Sequence, residues 1–449
     1  MGRSRLRVLY NRSVYALYSV AFFLALLASA PWWLVQMWRH GKYRSGWSER
    51  LGRVPGRLLG ERPAIWIHAV SVGEVLAMTG VIQALRTELP DWRILISTTT
   101  DTGQALARQR FGQDNVFRLP LDLAFAVRPY FQALRPKLLV LAESEFWPNL
   151  LRWARLSGAA VAVVNARVSD RSLPGYRRFR PLLRPMMQSV NVFLAQSDED
   201  AKRLVQIGAT PERVLVSGNL KFEVKPPAKS HIVAALADAV RRNEICPVIV
   251  AGSTVEGEEA MLLEMFREIQ ARYPRAVLVL APRHPERFAE VAALLGSAGI
   301  KVQRRSQWDG ATPPAGPVFL LDTIGELAAM YQVADIAFVG GSLVPRGGHN
   351  VLEAAQFGSP ILVGPHTQNF RDIVETFRRA DALRVVTPQT LTSTVLTLLG
   401  DEHQRAALGA RSLEVLRSQQ GATERTVTAL LGLLPSHVAE SEIHSEQRA

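Results

Sequence analysis

The chain has 449 residues, 48% of them hydrophobic, and 53 Lys and Arg against 40 Asp and Glu leave a formal charge of +13. That length suits roughly two or three domains with sizeable cores, and the single cysteine, Cys246, excludes an intramolecular disulfide and reads as a small core residue ahead of an apolar strand. The positive charge calls for an anionic partner, a phosphorylated substrate or a membrane surface, and not nucleic acid, because no groove-entering motif stands out.

In chain order, Arg3, Arg5, Arg7 and Arg12 precede a run without a charged residue from Ser13 to Trp38, SVYALYSVAFFLALLASAPWWLVQMW. Roughly 20 apolar residues span a bilayer, and Tyr15, Tyr18, Trp32, Trp33 and Trp38 stand towards the ends of the run, as interfacial aromatics do. Ala28-Ser29-Ala30 offers a signal-peptide cleavage site, but Pro31 directly after it, and the tryptophans and basic residues beyond, argue for a retained anchor. Arg39, Lys42 and Arg44 follow, so basic residues flank both sides and leave orientation open, as well as spanning against lying in the interface. The expected organisation is an anchor and basic connector over 1–44, an N-terminal domain over 45–225, a C-terminal domain over 226–435 and a polar tail over 436–449.

Past the connector, Ile65–Val70, Arg93–Ser97, Lys137–Ala142, Ala160–Asn165, Val192–Ala195 and Arg213–Val216 read as strands. Helices over Glu74–Glu88, Gly103–Phe111 and Trp147–Leu156 alternate with them, which means a doubly wound parallel sheet. Val224-Lys225-Pro226-Pro227-Ala228-Lys229 is a natural linker. The pattern then restarts, with strands over Val248–Ala251, Ala276–Ala281, Val318–Leu321, Ile336–Val339 and Ile361–Val363 and helices over Glu256–Tyr273 and Pro285–Ala298. Two Rossmann-like α/β domains facing across a cleft are expected, with ligands at the carboxyl ends of the strands.

Several segments at those strand ends carry candidate chemistry. Phe338–Phe370, FVGGSLVPRGGHNVLEAAQFGSPILVGPHTQNF, reads as strand, Gly-rich turn, helix over Val351–Phe357 and strand. Glycines admit a ligand close to the backbone, a free helix N-terminus binds phosphate, and Glu353 is placed to accept hydrogen bonds from a sugar's vicinal hydroxyls. An ordinary βαβ unit with Asn350 as N-cap reads the same residues equally well. Glu74 follows the first strand; it has capping-box spacing from Ser71, or it is a general base, and its helix N-terminus is expected to lower its pKa. Glu143 and Glu145 follow the strand KLLVLA, where paired carboxylates are costly unless solvated, used or capping. Lys221 in GNLK is placed to neutralise a leaving phosphate, and Arg283 in PRHP to reach a phosphate or a pyrimidine edge, although a surface charge is the ordinary reading of each alone. Arg177, Arg180 and Arg184 fall on one face of an expected helix, with Arg171 nearby, and suit membrane phosphates, although a solvated face is the ordinary explanation. Ser197-Asp198-Glu199-Asp200 reads as a helix start and not a metal cluster, and no Walker loop, HExxH or paired CxxC is present.

Taken in order, SVGE at Ser71, ESEFWPN at Glu143, NARVSDRS at Asn165, GNLKFE at Gly218, APRHPERF at Ala281 and FVGGSLVPRGGHNVLEAAQFG at Phe338 resemble the bacterial 3-deoxy-D-manno-octulosonic acid (Kdo) transferases of lipopolysaccharide synthesis. The resemblance covers nearly the whole chain. It implies a GT-B fold and inverting transfer of Kdo from CMP-Kdo to the lipid A precursor lipid IVA, at the cytoplasmic face of the inner membrane. No cofactor or metal is expected, because fixed donors and cations can neutralise the phosphate and the second domain shows no DxD-type ligand pair. It also implies that Glu74 is the base, that Glu143 and Lys221 stabilise the transition state, and that Pro282, Arg283, Ile324, Gly325, Glu326, Asn350, Val351, Leu352 and Glu353 hold CMP. Other GT-B enzymes, such as a UDP-GlcNAc transferase or epimerase, share the Gly-rich turn and the Glu but not the ESEFWPN and NARVSDRS segments. A non-catalytic membrane scaffold is the remaining alternative.

Overall fold

Near-continuous apolar runs such as AIWIH and KLLVLA have no polar face to give to water, so both faces of the sheet they form must be covered. The computed structural model describes residue 15 and residues 18–31, 46–170, 172–224, 227, 230–310 and 314–434. Most of the expected anchor and connector, Arg171, the core of the linker and the polar tail lie outside the described residues.

In the first unit the strands are β1 (Ala64–His68), β2 (Arg93–Thr98), β3 (Val116–Arg118), β4 (Pro136–Ala142), β5 (Ala160–Ala166), β6 (Val192–Ala195) and β7 (Val214–Val216). They form one parallel sheet in the order β3-β2-β1-β4-β5-β6-β7. The strand order reverses between β1 and β4, the point at which open α/β sheets bind ligands. Every residue of β1 is buried, and alternate residues serve opposite faces. Trp66 packs on one face against Phe117, Tyr130 and Phe131, with ring centroids 5.3, 5.9 and 5.1 Å away, and its indole N–H donates to Ser97 Oγ at 2.7 Å. Ile65 and Ile67 face the other way, among Val75, Met78 and Ile82 of the helix Val72–Glu88.

The second unit repeats the plan with β8 (Val248–Thr254), β9 (Val277–Pro282), β10 (Val302–Arg304), β11 (Val318–Leu320), β12 (Ile336–Val339), β13 (Ile361–Val363) and β14 (Arg384–Val385). The order is β10-β11-β9-β8-β12-β13-β14, all parallel, with the reversal between β8 and β12.

The structure divides the chain at Glu223/Val224 and again at Gln420/Gly421, returning the C-terminal segment to the first unit. The expected assignment of residues up to 435 to the C-terminal domain is corrected for Gly421 onward. The cause is packing: Ala422, Val427, Leu430 and Leu434 are buried in the same cluster as Ile65 and Val75. Gly80 makes room for this, since a Cβ there would lie 3.2 Å from Thr423 Oγ1. Thr423 N–H donates to Glu223 at 3.0 Å and Arg425 Nε to the Ser217 carbonyl at 2.9 Å.

Three further expectations are corrected. Cys246 is exposed and not a core residue, because it lies in the turn ahead of β8 and not in the strand. Arg177 does not share a helix with Arg180 and Arg184: the chain breaks at Phe179 between helices Leu173–Arg178 and Arg180–Met187. The helix expected over Val351–Phe357 spans only Leu352–Ala355. Residues 18–31 are helical, with Val20, Phe23, Leu24 and Leu27 exposed, and among the described residues no helix is long and apolar enough to cross a membrane.

Candidate active site

Strands β1 and β4 are neighbours, so the segments that leave their carboxyl ends emerge side by side. One carries Glu74 and the other Glu143. Glu74 is only 8% exposed; its Oε2 accepts from the Val70 N–H at 2.7 Å and its Oε1 from the Ser71 hydroxyl at 3.0 Å. The capping-box geometry is not realised, because Ser71 makes no side-chain cap to the helix and donates to Glu74 instead. The expected lowering of the Glu74 pKa is overturned as well. Burial pushes it up to about 7, with Glu143 and Glu145 adding to the rise and the Val70 N–H and Ser71 hydroxyl opposing it. A carboxylate tuned near neutrality suits a general base better than a permanently ionised one.

Glu143 adopts φ 56°, a left-handed conformation that few residues with side chains accept, and it forms an ion pair with Lys221 at 2.8 Å. The partner 78 residues away is placed by two asparagines. Asn165, itself at φ 55° and 1% exposed, accepts the Leu220 N–H at 3.0 Å. Asn219 accepts the Lys221 N–H at 3.0 Å. Nothing in the sequence assigned either of them to Lys221. Glu145 does not cap the next helix; it accepts the Trp147 indole N–H at 2.8 Å, and burial raises its pKa. The free amides of Asn149 and Leu150 are met at 3.0 and 2.8 Å by Asp122, which is distant in sequence and was missed. Ser197 does cap its helix, accepting from Asp200 N–H at 3.2 Å, and among the described residues no three His, Cys, Asp or Glu are grouped to hold a metal ion.

In the second unit, Arg283 follows β9, and the Gly-rich turn follows β12. The Arg283 charge lowers the pKa of both Glu353 and His349. Asn350 Oδ1 accepts the Leu352 N–H at 3.1 Å. Burial raises the Glu353 pKa against the opposing pull of Asn350 and Arg283. His349 is held down to about 4 by burial, then by Arg283 and His284, so it is neutral at physiological pH, and its buried Nε2 has no partner among the described residues. Val351 and Leu352 bury their side chains and present only backbone. A four-residue helix has little dipole to offer an anion, so the helix N-terminus expected to bind phosphate is weaker than the sequence implied.

The Ile324-Gly325-Glu326 turn follows β11, the neighbour of β9. Gly325 takes φ 91° and Ile324 is 72% exposed. Glu326 is engaged by Arg305 at 3.0 Å and by Thr323, so it shapes the turn. Pro282 is the last residue of β9.

A family model described as 3-Deoxy-D-manno-octulosonic-acid transferase (kdotransferase) matches residues 45–224. The 3-deoxy-D-manno-octulosonic acid transferase of Bordetella pertussis is 39% identical over 425 residues, 91% of this chain and 97% of that protein. Its counterpart in Haemophilus influenzae is 35% identical over 88% of this chain and 93% of that protein. Among solved structures, the UDP-GlcNAc 2-epimerase from Neisseria meningitidis bound to UDP-GlcNAc shares 14% identity at a TM-score of 0.50, covering 82% of this chain and 100% of that chain, which shows the two-domain α/β fold of GT-B type and no more. Identity at the level of the Bordetella protein over nearly the full length of both chains decides the family: this chain belongs to the 3-deoxy-D-manno-octulosonic acid transferases, glycosyltransferases of Kdo.

Proposed function

We propose that the chain transfers Kdo from CMP-Kdo to lipid IVA with inversion at the anomeric carbon. The observation that carries this reading is the carboxylate Glu74, buried and held near neutrality beside the Glu143–Lys221 pair, in a Kdo transferase. Cleavage at the quaternary anomeric carbon builds oxocarbenium character and releases CMP as a dianion, so the site must neutralise a phosphate and remove one acceptor proton. Glu74 takes that proton; Glu143 and Lys221 stabilise the transition state; Arg283, Asn350 and the backbone of the Gly-rich turn hold the phosphate. Fixed cations do this work, and no metal is required. The test is radiolabelled transfer to lipid IVA from CMP-Kdo, against UDP-GlcNAc, with EDTA present; transfer from UDP-GlcNAc alone, or loss of activity in EDTA, overturns the scheme.

Glu353 is assigned to the ribose hydroxyls. Glu353→Ala removes their acceptor and is expected to weaken CMP binding by roughly 1–3 kcal/mol, read by titration calorimetry. Unchanged CMP affinity would remove Glu353 from the site. We further assign residues 1–38 to holding the enzyme on the inner membrane, catalytic units on the cytoplasmic face, where the lipid acceptor lies. The uncharged run Ser13–Trp38 and the exposed Val20, Phe23, Leu24 and Leu27 support this. Truncation before Tyr43 is expected to shift the protein from the membrane to the soluble fraction, and full-length protein found wholly soluble would contradict it.

A further inference from the structure

We infer that Glu258 and Glu259, adjacent in the first turn of the helix Glu258–Arg272, are positioning residues that each hold one of the two nucleotide-binding loops. This rests on the reading of Arg283 and Asn350–Glu353 as the CMP site. Glu258 has no exposed surface. Its Oε2 accepts from the Gly341 N–H at 2.7 Å and the Val255 N–H at 3.1 Å, and its Oε1 from the Ser342 and Leu343 N–H groups, both at 2.9 Å. Only the Val255 bond is local; the other three reach 83 to 85 residues along the chain.

The Glu258 contacts run straight into the Gly-rich turn. The Gly341 carbonyl accepts the Gly348 N–H at 2.7 Å, one residue before His349-Asn350. Ser342 extends the hold, accepting the Gly364 N–H on its hydroxyl at 2.8 Å and the His366 N–H on its carbonyl at 2.9 Å. Gly340 permits the approach, since a Cβ there would lie 2.8 Å from Glu258 Oε2 and 2.6 Å from the Ser253 carbonyl.

Glu259, 1% exposed, works on the other loop. It accepts from the Thr254 hydroxyl at 2.9 Å and from both terminal nitrogens of Arg287 at 2.6 and 3.3 Å. The Thr254 carbonyl accepts the Arg283 N–H at 2.9 Å, and Arg287 closes the turn Pro285–Arg287 just beyond it. Arg283 is thus bracketed on both sides by groups that Glu259 fixes. One Ser or Asp caps a helix; two fully buried carboxylates cost far more than a cap requires, and their long-range bonds end on the segments that meet the nucleotide.

The test uses the full-length protein titrated with CMP and with cytidine, which lacks the phosphate. In Glu258→Gln an amide NH2 meets backbone donors, the turn shifts, and CMP affinity is expected to fall about tenfold or more, while cytidine affinity changes less than about twofold. Leu262→Ala, a buried residue of the same helix, is the control: it lowers the melting temperature and leaves the CMP-to-cytidine ratio alone. An unchanged ratio in folded Glu258→Gln overturns the inference. If that variant does not fold, Glu258→Asp, which keeps the charge on a shorter arm, must lower the ratio in the same direction. Wild-type protein that binds neither CMP nor cytidine refutes the nucleotide reading instead. Amide exchange then still decides the positioning, expected to quicken at Gly341–Leu343 and Gly348–Asn350 in Glu258→Asp and overturning it if unchanged.

Discussion

Glu74→Gln is expected to lower turnover by on the order of 10²-fold or more while the fold and CMP affinity survive. Gln keeps the size of the side chain and can still accept from the Val70 N–H, but it cannot take a proton. If Glu74 served only the helix start, the change would cost at most about 1 kcal/mol of stability and leave turnover intact. Titration sharpens the test. With the Glu74 pKa pushed up to about 7, wild-type turnover should fall with unit slope as pH drops below about 7. Stability has the opposite dependence. Between the ordinary value of 4.5 and the folded value of about 7, the folded state binds more protons than the unfolded one, so stability declines as pH rises through that window. The ionised Glu74 therefore costs the fold on the order of 3 kcal/mol above pH 7. Glu74→Gln should melt higher than wild type at pH 8 and lose that advantage near pH 4.5. Near-normal turnover in the variant would refute the assignment.

Lys221→Met is expected to reduce turnover by on the order of 10²–10³-fold, with CMP affinity and melting temperature little changed. The Lys221–Glu143 pair is about 30% exposed on both sides, so water screens it and its share of stability is within about 1 kcal/mol. A large kinetic effect beside a small thermal one separates a transition-state role from a structural one. Because the two groups touch, Glu143→Gln in the Lys221→Met background should add far less than it costs alone. Additive losses would mean that the two act independently, and a turnover near normal in Lys221→Met would remove it from the site.

The long apolar strands around the two reversal points were legible because both faces are buried, which writes an unbroken run such as VLVLAP into the sequence. The edge strands Val116–Arg118, Val302–Arg304 and Arg384–Val385 were not, because each carries an arginine and is too short to show a period, unlike the wholly apolar three-residue strands such as Ile361–Val363. Nor does an amphipathic pattern state which sheet it will cover, so the destination of Ala422–Leu431 was hidden. In the site, Glu74 was visible from its place at a strand end, but its raised pKa depends on burial, which position alone does not give. The pairing of Glu143 with Lys221 and the reach of Glu258 to Gly341 join residues that lie far apart along the chain, and only the folded sheets bring them together.

The return of the C-terminal helix has a consequence for biosynthesis. The first unit leaves the ribosome without Ala422–Leu431, and roughly 200 residues of the second unit must be made before that helix is available. At roughly 5–20 residues per second the delay is about 10–40 s. Throughout it the apolar side of the helix Val72–Glu88 that Ala422, Val427 and Leu430 will cover stands open to water. The nascent chain thus carries an exposed apolar surface on the helix that holds Glu74 in its first turn, and that surface stays uncovered until the C-terminal helix is made.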